Sequence, residues 1–361
     1  MLKEGLFRNV SGCAISGIVN RDRKKISGEK IIKSIAQMRD RSNGLGGGFA
    51  AYGIYPQYKD FFAFHIFYDN LSVKKEVEVF LDKYFDIESE ESMPVRQIPS
   101  IVNKPIIWRY FVKPLVFSLK DFADENDFVA NCVIKINKDF DGAYIFSSGK
   151  NMGAFKGVGY PEDIGEFFML DSYEGYIWTA HGRFPTNTPG WWGGAHPFTM
   201  LDWSVVHNGE ISSYDANRRF VEMFGYKCSL QTDTEVIAYL FDLLVRKHKL
   251  SLEKAVQITA SPFWKDIERE NEEVKEEFKA LRAVYSSALI NGPFSIILGF
   301  ENGILALNDR IKLRPLIVAE KGDTVYLASE ESAIKIICRD PDKIWAPDGG
   351  EPVIVLLNDE R

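Results

Sequence analysis

Four short blocks hold residue types that could do chemistry. Cys13 follows Ser11-Gly12, and Arg183 lies in His181-Gly182-Arg183-Phe184-Pro185-Thr186-Asn187-Thr188. Asn208 and Gly209 lie in His207-Asn208-Gly209-Glu210-Ile211, and Asp233 in Thr232-Asp233-Thr234-Glu235. A thiol can attack, a guanidinium can grip a carboxylate, and an amide beside a glycine N–H can steady a developing oxyanion. Each block taken singly also has a structural reading. Cys13 in an apolar strand is a small buried hydrophobe, Arg183 a surface charge, Asn208-Gly209 a hairpin turn, and Asp233 a complement to a helix dipole. Their occurrence together and in order is what demands an explanation.

The elements around the blocks must position them. Residues 13–20 read as a buried strand closed by the charged turn 21–25, and 28–39 as an amphipathic helix with Ile31, Ile32, Ile35 and Met38 on one face. Residues 61–68 read as a strand and 73–84 as a helix, while 129–136 and 143–147 read as a hairpin about 139–142. A helix over 161–170, with proline in its first turn, precedes strands over 175–183 and 203–207. A capping box from Thr232 to Glu235 opens a helix over 232–248, and a charged helix covers 264–285. Strands at 294–300, 304–307, 316–319 and 325–329 form a meander. Two groups of strands bracketing helices indicate an α+β protein with layered sheets.

Composition narrows the function classes. The 361 residues are 45% hydrophobic and 26% charged, with a net charge of −7. At about 150 residues per domain this length suggests one or two domains. The acidic balance argues against nucleic acid as a partner, and the lack of a long apolar run argues against a membrane span or signal peptide. The four cysteines, Cys13, Cys132, Cys228 and Cys338, form no CxxC pair, so no metal site is expected and a reduced, cytoplasmic setting is the simplest reading.

In order, the four blocks resemble the class II glutamine amidotransferases, which are N-terminal-nucleophile hydrolases. Ser147-Ser148-Gly149, Lys156-Gly157, Glu166-Phe167-Phe168, Arg183-Phe184, Thr186-Asn187-Thr188 and Pro197-Phe198 look like the amidotransferase domain of glutamate synthase. Leu313-Arg314-Pro315 and Ala328-Ser329-Glu330 match a later block, so the resemblance runs over about 13–330. It implies a four-layer αββα fold with two stacked, mostly antiparallel sheets. It also implies that residues 1–12 are a leader removed to expose Cys13, that 13–361 form the amidotransferase domain, and that 56–150 are a candidate inserted sub-lobe.

The resemblance assigns roles. Cys13 is the nucleophile and its freed α-amine the base; Asn208 and Gly209 form the oxyanion hole; Arg183, Thr186 and Asp233 hold glutamine. A free α-amine titrates near 7.7–8.0, which suits proton exchange at neutral pH. His181 and His207 are read as structural. Residues 185–196, with Trp191 and Trp192 among glycines, read equally as a lid or as a rigid loop. The 39–53 region matches an active-site stretch, without naming a contact. Ala14 stands where glycine commonly follows the nucleophile.

No phosphoribosyl-binding, sugar-isomerase, flavin or iron–sulfur module follows the meander, so a freestanding glutaminase subunit is expected. No cofactor is expected on this chain. FMN and iron–sulfur clusters are expected on a glutamate synthase partner that reduces the ammonia onto 2-oxoglutarate. The alternatives are a glutaminase serving another acceptor and a non-catalytic glutamine-binding scaffold.

Overall fold

The structure, a computed structural model, describes residues 12–184 and 190–359. Its centre is a pair of antiparallel sheets lying face to face. The seven-stranded sheet runs Lys343–Trp345, Ile317–Lys321, Thr324–Ala328, Ala14–Asn20, Ile177–Gly182, Gly47–Tyr52, Met152–Gly157. The five-stranded sheet runs Phe198–Met200, Trp203–Gly209, Phe294–Phe300, Gly303–Asn308, Val353–Leu356.

Alternation explains the stacking. In the Ala14–Asn20 strand, Ile15 and Val19 face inward and meet Val206, Ile297, Ile304 and Ala306 of the opposite sheet. Ala14 and Ile18 face outward, onto Ile31 and Ile35 of helix Gly28–Ala36 and Ile164 of helix Pro161–Phe167. Both faces are apolar because both are covered. On the far side, helices Tyr214–Met223 and Asp233–Phe241 cover the five-stranded sheet through Val221, Val236 and Leu240. Each such fully buried aliphatic contributes roughly 1.5–3 kcal/mol relative to exposure. This is the four-layer αββα arrangement that the resemblance implies.

A third sheet, ordered Phe85–Ser92, Ile106–Pro114, Phe62–Tyr68, Ala143–Ser147, lies within residues 62–147. Helices Leu71–Tyr84 and Glu125–Asp139 cover one face through Val73, Val77, Leu81, Val129 and Val133. The other face, with Ala63, Phe67, Phe111 and Phe146, joins the apolar layer outside the seven-stranded sheet.

Three readings are corrected. Residues 129–136 are helix, within Glu125–Asp139, rather than one arm of a hairpin. Phe128, Val129, Cys132, Val133 and Ile136 are buried at helical spacing, and Asp124 caps the helix by accepting from the Asp127 N–H. The helix opened at Thr232 changes at residue 242 from α to a π-turn over Asp242–Lys247. The charged helix is two, Trp264–Ile267 and Glu272–Tyr285, the second capped by Asn271.

Candidate active site

Cys13 stands immediately before the central strand of the larger sheet, flanked by the ends of its two neighbours. On one side Ala14 pairs with Gly182, which brings Phe184 over the thiol; the Phe184 N–H donates to Cys13 Sγ at 3.4 Å. On the other side Ser329 exchanges bonds with Ile15: the Ser329 N–H donates to the Ile15 carbonyl at 3.0 Å, and the Ile15 N–H to Ser329 Oγ at 3.1 Å. Burial pushes the Cys13 thiol up, against the opposing pull of the Phe184 N–H and the Arg183 charge. A thiol in that state needs a base to become a nucleophile.

Asn208 and Gly209 are not the hairpin turn of the local reading. They end the Trp203–Gly209 strand and still pair with Ser295 and Phe294. Asn208 is fully buried, and its Nδ2 donates to Ser329 Oγ at 3.5 Å. Gly209 has φ +146°, and a Cβ there would lie 1.9 Å from the Pro293 carbonyl oxygen. Only glycine fits.

Asp233 begins helix Asp233–Phe241 behind the N-cap Thr232. Its Oδ2 accepts from the Ile211 N–H at 3.1 Å and its Oδ1 from Thr234 Oγ1 at 3.2 Å, with His207 Nδ1 3.6 Å away. Burial raises its pKa, but His207 and these donors outweigh burial and hold it below the ordinary value. It is a carboxylate at neutral pH. Arg183 has its affinity for protons reduced by burial, while Cys13 and Asp233 act the other way; a guanidinium so placed keeps its charge.

Cys13, Arg183, Asn208, Gly209 and Asp233 line one cavity of about 650 Å³, together with Gly12. Thr186 lies outside the described residues. The cavity thus has a thiol, the guanidiniums of Arg183 and Arg314, the carboxylates of Asp233 and Glu210, and an amide beside a glycine on its wall.

Three stacked histidines support that wall. The His181 and His196 rings lie 3.9 Å apart at 20°, and those of His196 and His207 6.4 Å apart at 14°. His181 Nε2 donates to the His207 carbonyl at 3.0 Å. His196 Nδ1 accepts from the His207 N–H at 3.3 Å, so its Nε2 carries the proton that meets Thr234 Oγ1 at 3.3 Å. The Thr234 hydroxyl also accepts from His207 Nδ1 at 3.1 Å, which leaves its own proton for Asp233. Burial drives His181 down to about 3 and His196 well below its ordinary value. The neutral His196 imidazole therefore helps to fix the Thr234 hydroxyl that orients Asp233.

Several residues at the site were named in the sequence only as members of a block. Arg41 Nε donates to the Cys13 carbonyl at 3.3 Å and its Nη1 to Glu330 at 3.0 Å. Arg314 lines the cavity, and Ser329 joins Asn208 to Ile15. The glycine run at 44–48 makes room: a Cβ on Gly46 would lie 2.9 Å from Arg183 Cδ.

Of the tryptophan segment, Trp191 is exposed and lines the cavity, whereas Trp192 is buried against Phe67 and Phe167, each ring 5.7 Å away. The fully buried Lys156 donates to the Gly193 carbonyl at 2.9 Å and the Pro197 carbonyl at 3.2 Å. Residues 192–197 are therefore pinned. Among the described residues no cluster of metal ligands occurs, and no helix is long and apolar enough to cross a membrane.

Residues 99–345 match the family model of the glutamine amidotransferases class-II. The match includes Arg183, Asn208, Gly209 and Asp233, and Cys13 precedes it. An uncharacterized protein of Archaeoglobus fulgidus is 50% identical over 348 residues, 96% of this chain and 92% of its own. A putative glutamine amidotransferase of Methanothermobacter thermautotrophicus is 26% identical over 331 residues, 90% of this chain and 93% of its own. Among solved structures, a glutamine phosphoribosylpyrophosphate amidotransferase from B. subtilis aligns with a TM-score of 0.47 at 14% identity. That alignment covers 95% of this chain and 47% of the other, so the chain spans about half of that protein.

Proposed function

The chain belongs to the class II glutamine amidotransferases, and we propose that it releases ammonia from the side-chain amide of L-glutamine through a thioester on Cys13. The observation that carries this reading is the shared cavity: the Cys13 thiol, the Asn208-Gly209 pair and the Arg183 and Asp233 charges all line it.

Glutamine offers one carboxylate and one ammonium at its α-carbon. Arg183 grips the carboxylate through two parallel hydrogen bonds, and Asp233 holds the ammonium. The resemblance assigns a further contact to Thr186. In the full chain the Cys13 nitrogen is tied in a peptide bond to Gly12, which itself lines the cavity. Removal of residues 1–12 frees an α-amine titrating near 7.7–8.0, the base that the raised thiol requires. The amine takes the thiol proton, sulfur attacks the amide carbon, and the carbonyl oxygen becomes an oxyanion held by Asn208 Nδ2 and the Gly209 N–H. The amine returns the proton to the leaving nitrogen, the C–N bond breaks, and ammonia departs. Water then attacks the thioester, releasing glutamate and restoring the thiol.

The branch-specific blocks support delivery of this ammonia to a glutamate synthase partner that carries FMN and iron–sulfur clusters and acts on 2-oxoglutarate. The test has two parts. Intact mass establishes whether the purified chain begins at Cys13, and a glutaminase assay compares that form with Cys13→Ala. Glutamate and ammonia from the processed wild type alone support the reading; equal rates in both sink it. Copurification with a flavoprotein tests the partner, and ammonia escaping freely with no such complex overturns that half.

A further inference from the structure

A second cavity, of about 390 Å³, is built around two arginines that the amide chemistry does not use. Arg282, in the last turn of helix Glu272–Tyr285, donates through Nε to Ser261 Oγ at 2.9 Å, donates to the Pro262 carbonyl, and lies 4.0 Å from the centre of the Trp264 ring. Arg310 donates through Nη2 to Asn291 Oδ1 at 2.6 Å and through Nη1 to the Ser261 carbonyl at 3.3 Å, and lies 4.6 Å from the centre of the Phe263 ring. Every one of these partners is neutral.

Among the described residues no carboxylate hydrogen-bonds to either guanidinium. Burial, and after it the charge of Arg310, lowers the proton affinity of Arg282. The opposing charge that acts on Arg310 is Asp309, whose carboxylate accepts from the backbone N–H groups of Phe294, Ile311 and Leu313. Among the described residues no Asp or Glu lines the cavity. Two guanidiniums sharing one wall repel each other unless an anion sits between them. The apolar part of the wall includes Leu281, Tyr285, Leu289 and the half-exposed Trp264, beside the neutral polar side chains of Gln257 and Ser286.

We infer that this cavity binds a small phosphate monoester, its phosphoryl group between Arg282 and Arg310 and its organic part against Trp264. A phosphate monoester carries about −1.5 to −2 charge at pH 7 and so matches two guanidiniums, where a carboxylate leaves one unmatched. A volume of this size lies in the range of small-molecule pockets. Arg310 also bears on the glutamine cavity. It holds Asn291, whose carbonyl accepts from the Ser212 N–H at 2.8 Å, and the Pro293 carbonyl accepts from the Glu210 N–H at 3.0 Å, directly after Gly209. Arg314, four residues on, lines the glutamine cavity. Occupancy of the second cavity is thus felt where the oxyanion forms.

The experiment is calorimetric titration of the full chain with phenyl phosphate at low salt. The wild type is expected to bind saturably with a Kd of about 1 mM or tighter. The double variant Arg282→Gln/Arg310→Gln is expected to lose at least about tenfold. Ser286→Glu, at an exposed rim position, keeps both arginines and puts a carboxylate beside them; it is expected to lose as much, which covers the case of a double variant that fails to fold. No saturation of the wild type up to about 10 mM, or wild-type affinity in both variants, overturns the proposal. The coupling to glutamine rests on the glutaminase reading and is read separately, as a phenyl phosphate effect on the KM for glutamine that Ser286→Glu removes. Binding without that effect disproves the coupling and leaves the site standing.

Discussion

Asp233 and Glu235 lie two residues apart in the first turn of one helix, and although burial pushes both up they end in opposite states. Glu235 accepts three hydrogen bonds, from the Ser229 and Leu230 N–H groups and the Tyr239 hydroxyl, yet burial pushes it up to about 7. Asp233 accepts fewer, from Ile211 and Thr234, yet is held low. The count of donors does not decide the outcome. Asp233 has the His207 imidazole 3.6 Å away and opens on the cavity, whereas Glu235 is sealed among Tyr144, Tyr239 and Cys228. Lys156, the cation that helps Glu235, is itself pushed down to about 7 by burial. The cavity wall keeps its charges; the layer behind it holds groups poised between charged and neutral. On the proposed function the wall has to grip a zwitterion, which needs the former, while a packed support can tolerate the latter.

That contrast can be broken most severely at the wall. Asn208→Ala removes the buried amide that donates to Ser329 and, on the proposed mechanism, one of two oxyanion donors. The glutaminase kcat is expected to fall about 10²–10³-fold with KM little changed. A fall in KM-dependent binding instead, with kcat intact, removes Asn208 from the oxyanion hole.

Asp233→Asn keeps the shape and deletes the charge. Because a charged hydrogen bond contributes about 1.5–3 kcal/mol, KM for glutamine is expected to rise on the order of ten- to a hundredfold. Glu235→Gln, two residues along, is expected to leave KM within about threefold, since Glu235 does not line the cavity. Equal KM changes in the two variants erase the distinction between wall and support.

How much of this was legible in the sequence varies with the kind of signal. The Ala14–Asn20 strand and helix Gly28–Ala36 were readable because an apolar run and a 3.6-residue stripe are local. The 129–136 segment misled because Val129, Val133, Ile134 and Ile136 are β-branched, and tertiary packing overrode that preference. Arg183, Asn208, Gly209 and Asp233 were found through their blocks, since the cavity unites residues from strands and helices far apart in the chain. Arg41 and Arg314 were present in matching blocks without roles, because their importance lies in contacts with Cys13, Glu330 and the cavity that no local pattern encodes. Asn208-Gly209 shows the limit of local rules. The dipeptide favours a turn, but a sheet partner at Ser295 and Phe294 holds it extended.

The smallest expected effect lies behind the wall, in the pH dependence of stability. Lys156 is lowered to about 7 in the folded chain from an ordinary value of 10.5, so between these limits the unfolded chain binds more protons than the folded one. Stability from this group therefore rises with pH from about 7 to about 10.5 and is lost as pH falls through 7. Glu235, raised to about 7 from 4.5, acts with the opposite sign: its contribution is full below 4.5 and is lost as pH rises through 7. The Lys156–Glu235 layer is thus weakest near neutrality. Lys156→Met fills similar space without the charge and gives up the bonds to the Gly193 and Pro197 carbonyls. The difference in Tm between wild type and Lys156→Met is expected to grow in favour of the wild type as pH is raised from about 7 to 9, by a few degrees. The difference between wild type and Glu235→Gln is expected to shrink as pH is raised from about 5 to 7. A Lys156→Met difference that stays flat across its window means that the lysine finds a charge-stabilising partner in the folded chain, and the support layer is then charged like the wall in front of it.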